Sequence, residues 1–120
     1  MPDDTQLVRN ASTGVAIGDQ IRFAGSAWKR TRGLMFAPHL QAGEGLVIRP
    51  CGSIHMMGMR FAIDAVFYDA EGRVTKVARG VRPWIGLAFG GRGAKGVIEL
   101  PVGAAAGTER GHQLEFTGPH

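Results

Sequence analysis

The sequence predicts a compact domain built mainly from β-strands, as a sandwich or a partly closed barrel with one or two short helices. The chain has 120 residues, a length typical of one domain, and its 44% hydrophobic residues are enough for a core. Glycine accounts for 19 residues, and this excess favours tight turns between short strands. Short apolar runs also recur at close spacing, as in sandwiches and barrels. We therefore expect a single domain over residues 1–120.

The first half of the chain predicts short strands and one helix. Ser26 can cap a helix over residues 27–31, and Gly33 is well placed to end it in the left-handed conformation. Turn residues at 12–14 and at Gly18 and Asp19 separate the apolar runs before it. The strands predicted in this half cover residues 7–11, 15–17, 21–24 and 46–48.

The second half centres on residues 61–68, which are apolar on both alternating faces except at Asp64. This pattern indicates a central strand covered on both sides. A turn at 69–72 predicts a hairpin with the next strand. The glycines between 86 and 96 favour a mobile loop, and the alanines at 104–106 allow at most one helical turn. The further strands predicted here cover residues 74–78, 97–100 and 113–116.

Charge and cysteine content limit the partners and the compartment. Fourteen basic and ten acidic residues give a net charge of +4, a mild attraction for anions. The basic residues are scattered apart from Lys29, Arg30 and Arg32, a group typical of a solvated helix face, so no nucleic-acid partner is expected. Cys51 is the single cysteine, which excludes an intrachain disulfide and favours a reducing compartment.

The start of the chain lacks the basic and apolar regions of a signal peptide. A cytoplasmic location is therefore expected for the chain as it stands, and an exported one if a leader has been removed. No apolar run approaches the roughly 20 residues of a membrane span. The GxGxxG at residues 91–96 leads into a predicted strand instead of a helix, so the context for a dinucleotide is missing and no cofactor is predicted.

Several blocks of the sequence, in this order, resemble an uncharacterised prokaryotic family, domain of unknown function 192. The resemblance covers about residues 27–116. It implies a β-sandwich similar to a jelly roll and carries no established activity. The blocks are Arg32-Gly33-Leu34-Met35-Phe36, Ile54-His55-Met56, Met59-Arg60-Phe61, Ile63-Asp64, Arg82-Pro83-Trp84 and Glu99-Leu100-Pro101-Val102-Gly103.

Asp64 is a carboxylate within an apolar strand, and it needs a partner because an unpaired buried charge costs several kcal/mol. Arg60 has the same parity along an extended strand and would project to the same face. Glu99 lies in another apolar run and poses the same problem. These three residues could form a structural network, a ligand site with one acid and one guanidinium, or a carboxylate pair for acid–base chemistry.

The leading hypothesis is a non-enzymatic module that binds a small polar ligand, a sugar or an anion, or a protein partner. Trp84 precedes the glycine-rich segment, where it would either stack on a ligand or anchor the loop to the core. The candidate binding residues are His55, Arg60, Asp64, Trp84, Glu99 and Arg32.

Three alternatives stay open. Cys51, His55, Met57 and Met59 carry the soft ligands that Cu(I) prefers, although methionine more often fills gaps in a core and no metal is predicted. Cys51 with His55, together with Asp64, could also serve a small metal-dependent or hydrolytic enzyme. The remaining alternative is a structural or interaction domain in which Asp64 holds the fold.

Overall fold

The computed structural model describes residues 5–24 and 39–120, which form one seven-stranded sheet and one two-stranded sheet. The strands are short and joined by tight turns, as the glycine content predicts. The strands of the described residues are β1 (Thr5–Asn10), β2 (Val15–Ala24), β3 (Glu44–Ile48), β4 (Ser53–His55), β5 (Ile63–Tyr68), β6 (Val74–Val81), β7 (Leu87–Phe89), β8 (Gly96–Pro101) and β9 (Leu114–Phe116).

The large sheet has the order β6-β5-β8-β3-β2-β1-β9, and β4 pairs with β7 in the small sheet. The sheet is mixed because β2 and β3 run parallel while the other pairs are antiparallel. A single bridge between Arg73 and Gln113 brings the two ends of the order together, so the sheet curves strongly without closing into a barrel. The mainly β class is confirmed, and the jelly-roll topology stays a prediction.

The core lies on both faces of the large sheet. All six residues of β5 are buried, and its five apolar residues alternate between two apolar clusters. Phe67 packs in the cluster that lies under β4 and β7, whose Ile54 and Ala88 point inward. Val66 packs in the other cluster, beneath β1 and β9. The expectation of a central strand covered on both sides is confirmed for β5.

Two local expectations are not met: one is wrong, and the other concerns residues outside those described. β2 runs unbroken through Gly18 and Asp19, so the turn predicted there is wrong. A Cβ at Gly18 would come within 3.0 Å of the Gly43 carbonyl, so this glycine permits a close approach of two chain segments. The helix predicted over residues 27–31 lies outside the described residues. Within the described part of the chain there is no helix, and hence none that could cross a membrane.

The buried hydroxyl of Tyr68 has no hydrogen-bond partner among residues 5–24 and 39–120. Burial raises the pKa of this hydroxyl above its usual range. Tyr68→Phe removes the unsatisfied group and keeps the ring contact with Phe116, whose centroid lies 4.9 Å away. We expect the variant to match or exceed the stability of the wild type by up to about 1 kcal/mol in urea unfolding. A loss of more than about 1 kcal/mol would show that the hydroxyl is in fact bonded.

Candidate functional site

Asp64 is 1% exposed, and its carboxylate binds backbone amides. Oδ1 accepts the N–H of Gly80 at 2.9 Å, and Oδ2 accepts the N–H groups of Gly103 and Ala105 at 2.9 and 3.3 Å. Three backbone amides therefore supply the partners that the buried carboxylate of Asp64 needs. The carboxylate fastens β6 and the segment after β8 to β5, the second strand of the large sheet.

The pairing of Asp64 with Arg60 is wrong. Among the described residues the single ion pair within 4.0 Å joins Arg9 to Glu115. β5 begins at Ile63, so Arg60 lies in the preceding bend, where the alternation of an extended strand does not apply. Its side chain is exposed to solvent.

A β-bulge explains why Asp64 finds a free amide on its neighbouring strand. Ile63 pairs with Val81 while Ala65 pairs with Ala78, so β6 has one extra residue opposite Asp64. The bulge leaves the Gly80 N–H without a ladder partner, and the buried carboxylate takes this role. Gly80 has a φ of 62°, a conformation that glycine adopts without strain.

Glu99 lies on the opposite face of the sheet from Asp64. Asp64 pairs with Leu100, whereas Glu99 pairs with Ala65, and successive side chains of a strand point to opposite faces. Leu100 packs in one apolar cluster and Ala65 in the other. A carboxylate pair and a shared ionic network of these two acids are therefore excluded.

The other sequence-predicted residues lie near the small sheet. His55 is exposed on β4 opposite Leu87, and Trp84 is exposed in the turn before β7. Trp84 is 62% exposed, so its ring does not anchor the loop in the core. Asp64 lies inside the large sheet, so the structure does not gather these side chains around one cavity, and Arg32 lies outside the described residues. Their role in binding stays a prediction.

The proposed soft-metal set is divided between surface and core. His55 and Met57 are exposed, whereas Met59 is buried in an apolar cluster. A tight turn at Gly58, with φ of 86°, interrupts the strand between Met57 and Met59. The expectation that His55, Met57 and Met59 share one face is therefore wrong. The thiol of Cys51 donates a hydrogen bond to the Ser53 carbonyl at 3.1 Å. Among the residues that the structure describes, no cluster of three or more His, Cys, Asp or Glu could hold a metal ion.

A basic groove of about 670 Å³ runs along β6, which ends the order of the large sheet. Residues from the hairpin of β5 and β6, from the loop after β7 and from the segment before β9 form its walls. Asp69 and Glu109 are its acidic residues. Its basic residues are Arg73, Lys76, Arg79, Arg92 and Arg110.

Two of the arginines are fixed by backbone carbonyls of the segment between β8 and β9. Arg79 Nη2 donates to the carbonyls of Ala105 at 3.0 Å and Thr108 at 2.5 Å. Arg73 Nη1 donates to the Gly111 carbonyl at 3.2 Å. These bonds hold the segment before β9 against β6. Asp64 binds the same segment from the interior, because its Oδ2 accepts the N–H of Ala105. Hydrogen bonds from Arg73 and Arg79 and to Asp64 thus hold this segment in place beside β6.

The other three basic side chains of the groove have no hydrogen-bond or ion-pair partner among the described residues. Within residues 5–24 and 39–120, no hydrogen bond or ion pair engages the side chains of Lys76, Arg92 or Arg110. Like charges held near one another raise the local potential, and an anion that binds between them relieves their repulsion. This concentration of positive charge therefore attracts anions.

The groove is not evident from the sequence because its cations come from separate segments. Read along the chain, they are scattered, and only the fold brings residues 73–79 next to Arg92 and Arg110. One signal was available. Residues 72–98 contain no Asp or Glu, although they include six basic residues.

Comparisons with known proteins give a family and a fold. The model of the family DUF192, described as "Uncharacterized ACR", matches residues 8–116. A UPF0127 protein of Thermococcus sibiricus is 35% identical over 101 residues, which are 81% of this chain and 64% of that protein. The chain thus spans less than two thirds of the length of this relative.

Two solved structures have similar folds. A protein of unknown function from Novosphingobium aromaticivorans has a TM-score of 0.77 at 22% identity, over 92% of this chain and 82% of that one. A Sinorhizobium meliloti protein, provisionally described as a transcription regulator, has a TM-score of 0.79 at 20% identity over 95% of each chain. At these identities the likeness shows the fold alone.

Proposed function

This chain belongs to the DUF192 family of uncharacterised proteins, and we propose that it is a non-enzymatic binding domain whose basic groove holds a small multivalent anion. The observation that carries the proposal is the set of five basic side chains around one groove, three of them without a partner in the described residues. The sequence predicts a small polar ligand, a sugar or an anion, or a protein partner, and the groove favours an anion among these.

The chemistry of the groove fits phosphate or carboxylate groups. Guanidinium groups bind such anions through paired N–H donors, and lysine adds a mobile point charge. Arg73 and Arg79 are already oriented by backbone carbonyls, which lowers the entropy that a ligand must remove on binding. A volume of about 670 Å³ suits a small molecule.

The double variant Lys76→Ala with Arg110→Ala removes two uncommitted cations and leaves the bonds of Arg73 and Arg79 in place. We expect pyrophosphate and citrate to bind the wild type more tightly than inorganic phosphate does, because more of their charges can be paired. We expect the double variant to bind them about tenfold or more weakly, since each lost charge-assisted hydrogen bond contributes about 1.5–3 kcal/mol. Isothermal titration calorimetry at low ionic strength measures both effects.

A matched control distinguishes the groove from general positive charge. Arg22→Ala with Arg60→Ala removes the same number of charges at exposed positions that do not line the groove. This variant should bind the anions as the wild type does. If it loses as much affinity as the groove variant, or if a neutral monosaccharide binds the wild type and the anions do not, the proposal is wrong.

A further inference from the structure

Five large apolar side chains project into solvent from the small sheet and the turns beside it. Each is at least 62% exposed, so they stand on a convex surface. Contiguous apolar patches on soluble proteins mark sites of interaction. These residues, called the apolar face below, are Met57, Trp84, Ile85, Leu87 and Phe89.

The pairing of β4 with β7 produces the apolar face. Ile54 and Ala88 are opposite each other and point into the core, so the residues on either side of them must point outward. Leu87 and Phe89 therefore face solvent opposite His55 and Ser53. A polar residue at 87 or 89 would satisfy the fold equally well, so packing does not account for the apolar ones.

Trp84 is held outward at a conformational cost. Its φ of 68° lies in the left-handed region, which bulky residues rarely adopt. The Trp84 N–H donates to the Met56 carbonyl at 2.8 Å, and the Gly86 N–H donates to the Arg82 carbonyl at 3.0 Å. These bonds fix the turn that presents the indole to solvent. Such strained positions cluster at functional sites.

The segments that form the apolar face carry only positive charge. Residues 45–63 and 72–98, which include the whole small sheet, contain no Asp or Glu. Arg60 and Arg82 are exposed beside the turns that bear Met57 and Trp84. Lys95 is exposed too, and its carbonyl accepts the N–H of Cys51 just before β4. An apolar centre with a basic margin is thus built into this end of the molecule.

We propose that the apolar face docks on the surface of an anionic lipid bilayer. Apolar side chains that project from a convex surface enter the interfacial region of a bilayer, where tryptophan is favoured. Arginine and lysine at the margin then reach the anionic headgroups. A second copy of the chain is a poorer occupant, because a symmetric contact would bring the same cations against each other. This surface is distinct from the basic groove and does not depend on the function proposed for it.

The double variant Leu87→Thr with Phe89→Thr tests this docking while retaining β propensity. We expect the wild type to sediment with vesicles of equal parts phosphatidylcholine and phosphatidylglycerol at low ionic strength. The variant should partition about tenfold or more weakly, because it loses two inserted apolar side chains. Vesicles of phosphatidylcholine alone should retain little wild-type protein, since the basic margin then has no anionic partner.

Two matched variants locate the contact. Val15→Thr with Val102→Thr replaces apolar residues of similar exposure that lie outside the small sheet, and it should bind vesicles as the wild type does. Lys76→Ala with Arg110→Ala should also leave vesicle binding unchanged within about twofold. Absence of wild-type association with anionic vesicles would overturn the proposal, and so would association that the groove variant abolishes and the Leu87/Phe89 variant does not. A wild-type dimer in sedimentation velocity that the Leu87/Phe89 variant dissociates would instead assign the face to a second copy.

Discussion

Replacing Asp64 by alanine is expected to lower the free energy of unfolding by about 3–5 kcal/mol. The substitution leaves the N–H groups of Gly80, Gly103 and Ala105 without their acceptor in the interior. It also opens a gap beside the β6 bulge. Urea unfolding followed by circular dichroism measures the loss.

Two further variants separate the role of the buried acceptor from that of charge. Asp64→Asn keeps one oxygen but directs an NH₂ group at amide donors, so its loss should fall between those of the wild type and Asp64→Ala. Glu71→Gln neutralises an exposed carboxylate that makes no hydrogen bond or ion pair with any other described residue, and it should cost less than about 0.5 kcal/mol. If the free energy of unfolding of Asp64→Ala lies within about 1 kcal/mol of that of the wild type, the carboxylate does not stabilise the fold as the structure indicates.

Gly96→Ala is expected to destabilise the protein by about 3 kcal/mol. A Cβ at this position would overlap the Tyr68 hydroxyl and lie 2.9 Å from the Ile48 carbonyl, so both β5 and β3 would have to shift. These strands flank the start of β8 in the centre of the sheet, where packing leaves little room to adjust. Thermal and urea unfolding measure the effect.

Gly107→Ala is the matched control, because a Cβ at Gly107 would meet no atom within 4 Å. Its stability should stay within about 0.5 kcal/mol of the wild type. In a Tyr68→Phe background, Gly96→Ala should cost less than it does alone, since the overlapping hydroxyl is gone. Equal stability of the Gly96 and Gly107 variants would contradict the close packing of β8 against Tyr68.

Local patterns predict much of the sheet because its strands are short and apolar. The uniform burial of β5 follows from the apolar residues on both of its faces. The need of Asp64 for partners follows in the same way from the cost of a buried charge. The identity of those partners could not be predicted, because the bulge at Gly80 and the turns at Gly103 and Ala105 depend on pairing across the sheet.

The candidate site was harder to predict because its parts are distant in the sequence. Arg73 and Arg92 line one groove only after β6 and the loop following β7 have been folded together. The short β7 was hidden among glycines, where three residues give too little alternation to distinguish a strand from a loop. Its pairing with β4, and hence the outward direction of Leu87, appears only in the fold.

The basic groove as a binding site for a multivalent anion is tested most directly by following the backbone amide shifts of the protein in NMR while pyrophosphate is added. The groove predicts saturable shifts confined to residues 73–79, 91–92 and 109–111, with small changes at His55 and Trp84. The double variant Lys76→Ala with Arg110→Ala should show no saturable amide shifts at these residues. Shifts that do not saturate, or that centre on β4 and β7 instead of β6, would contradict the account.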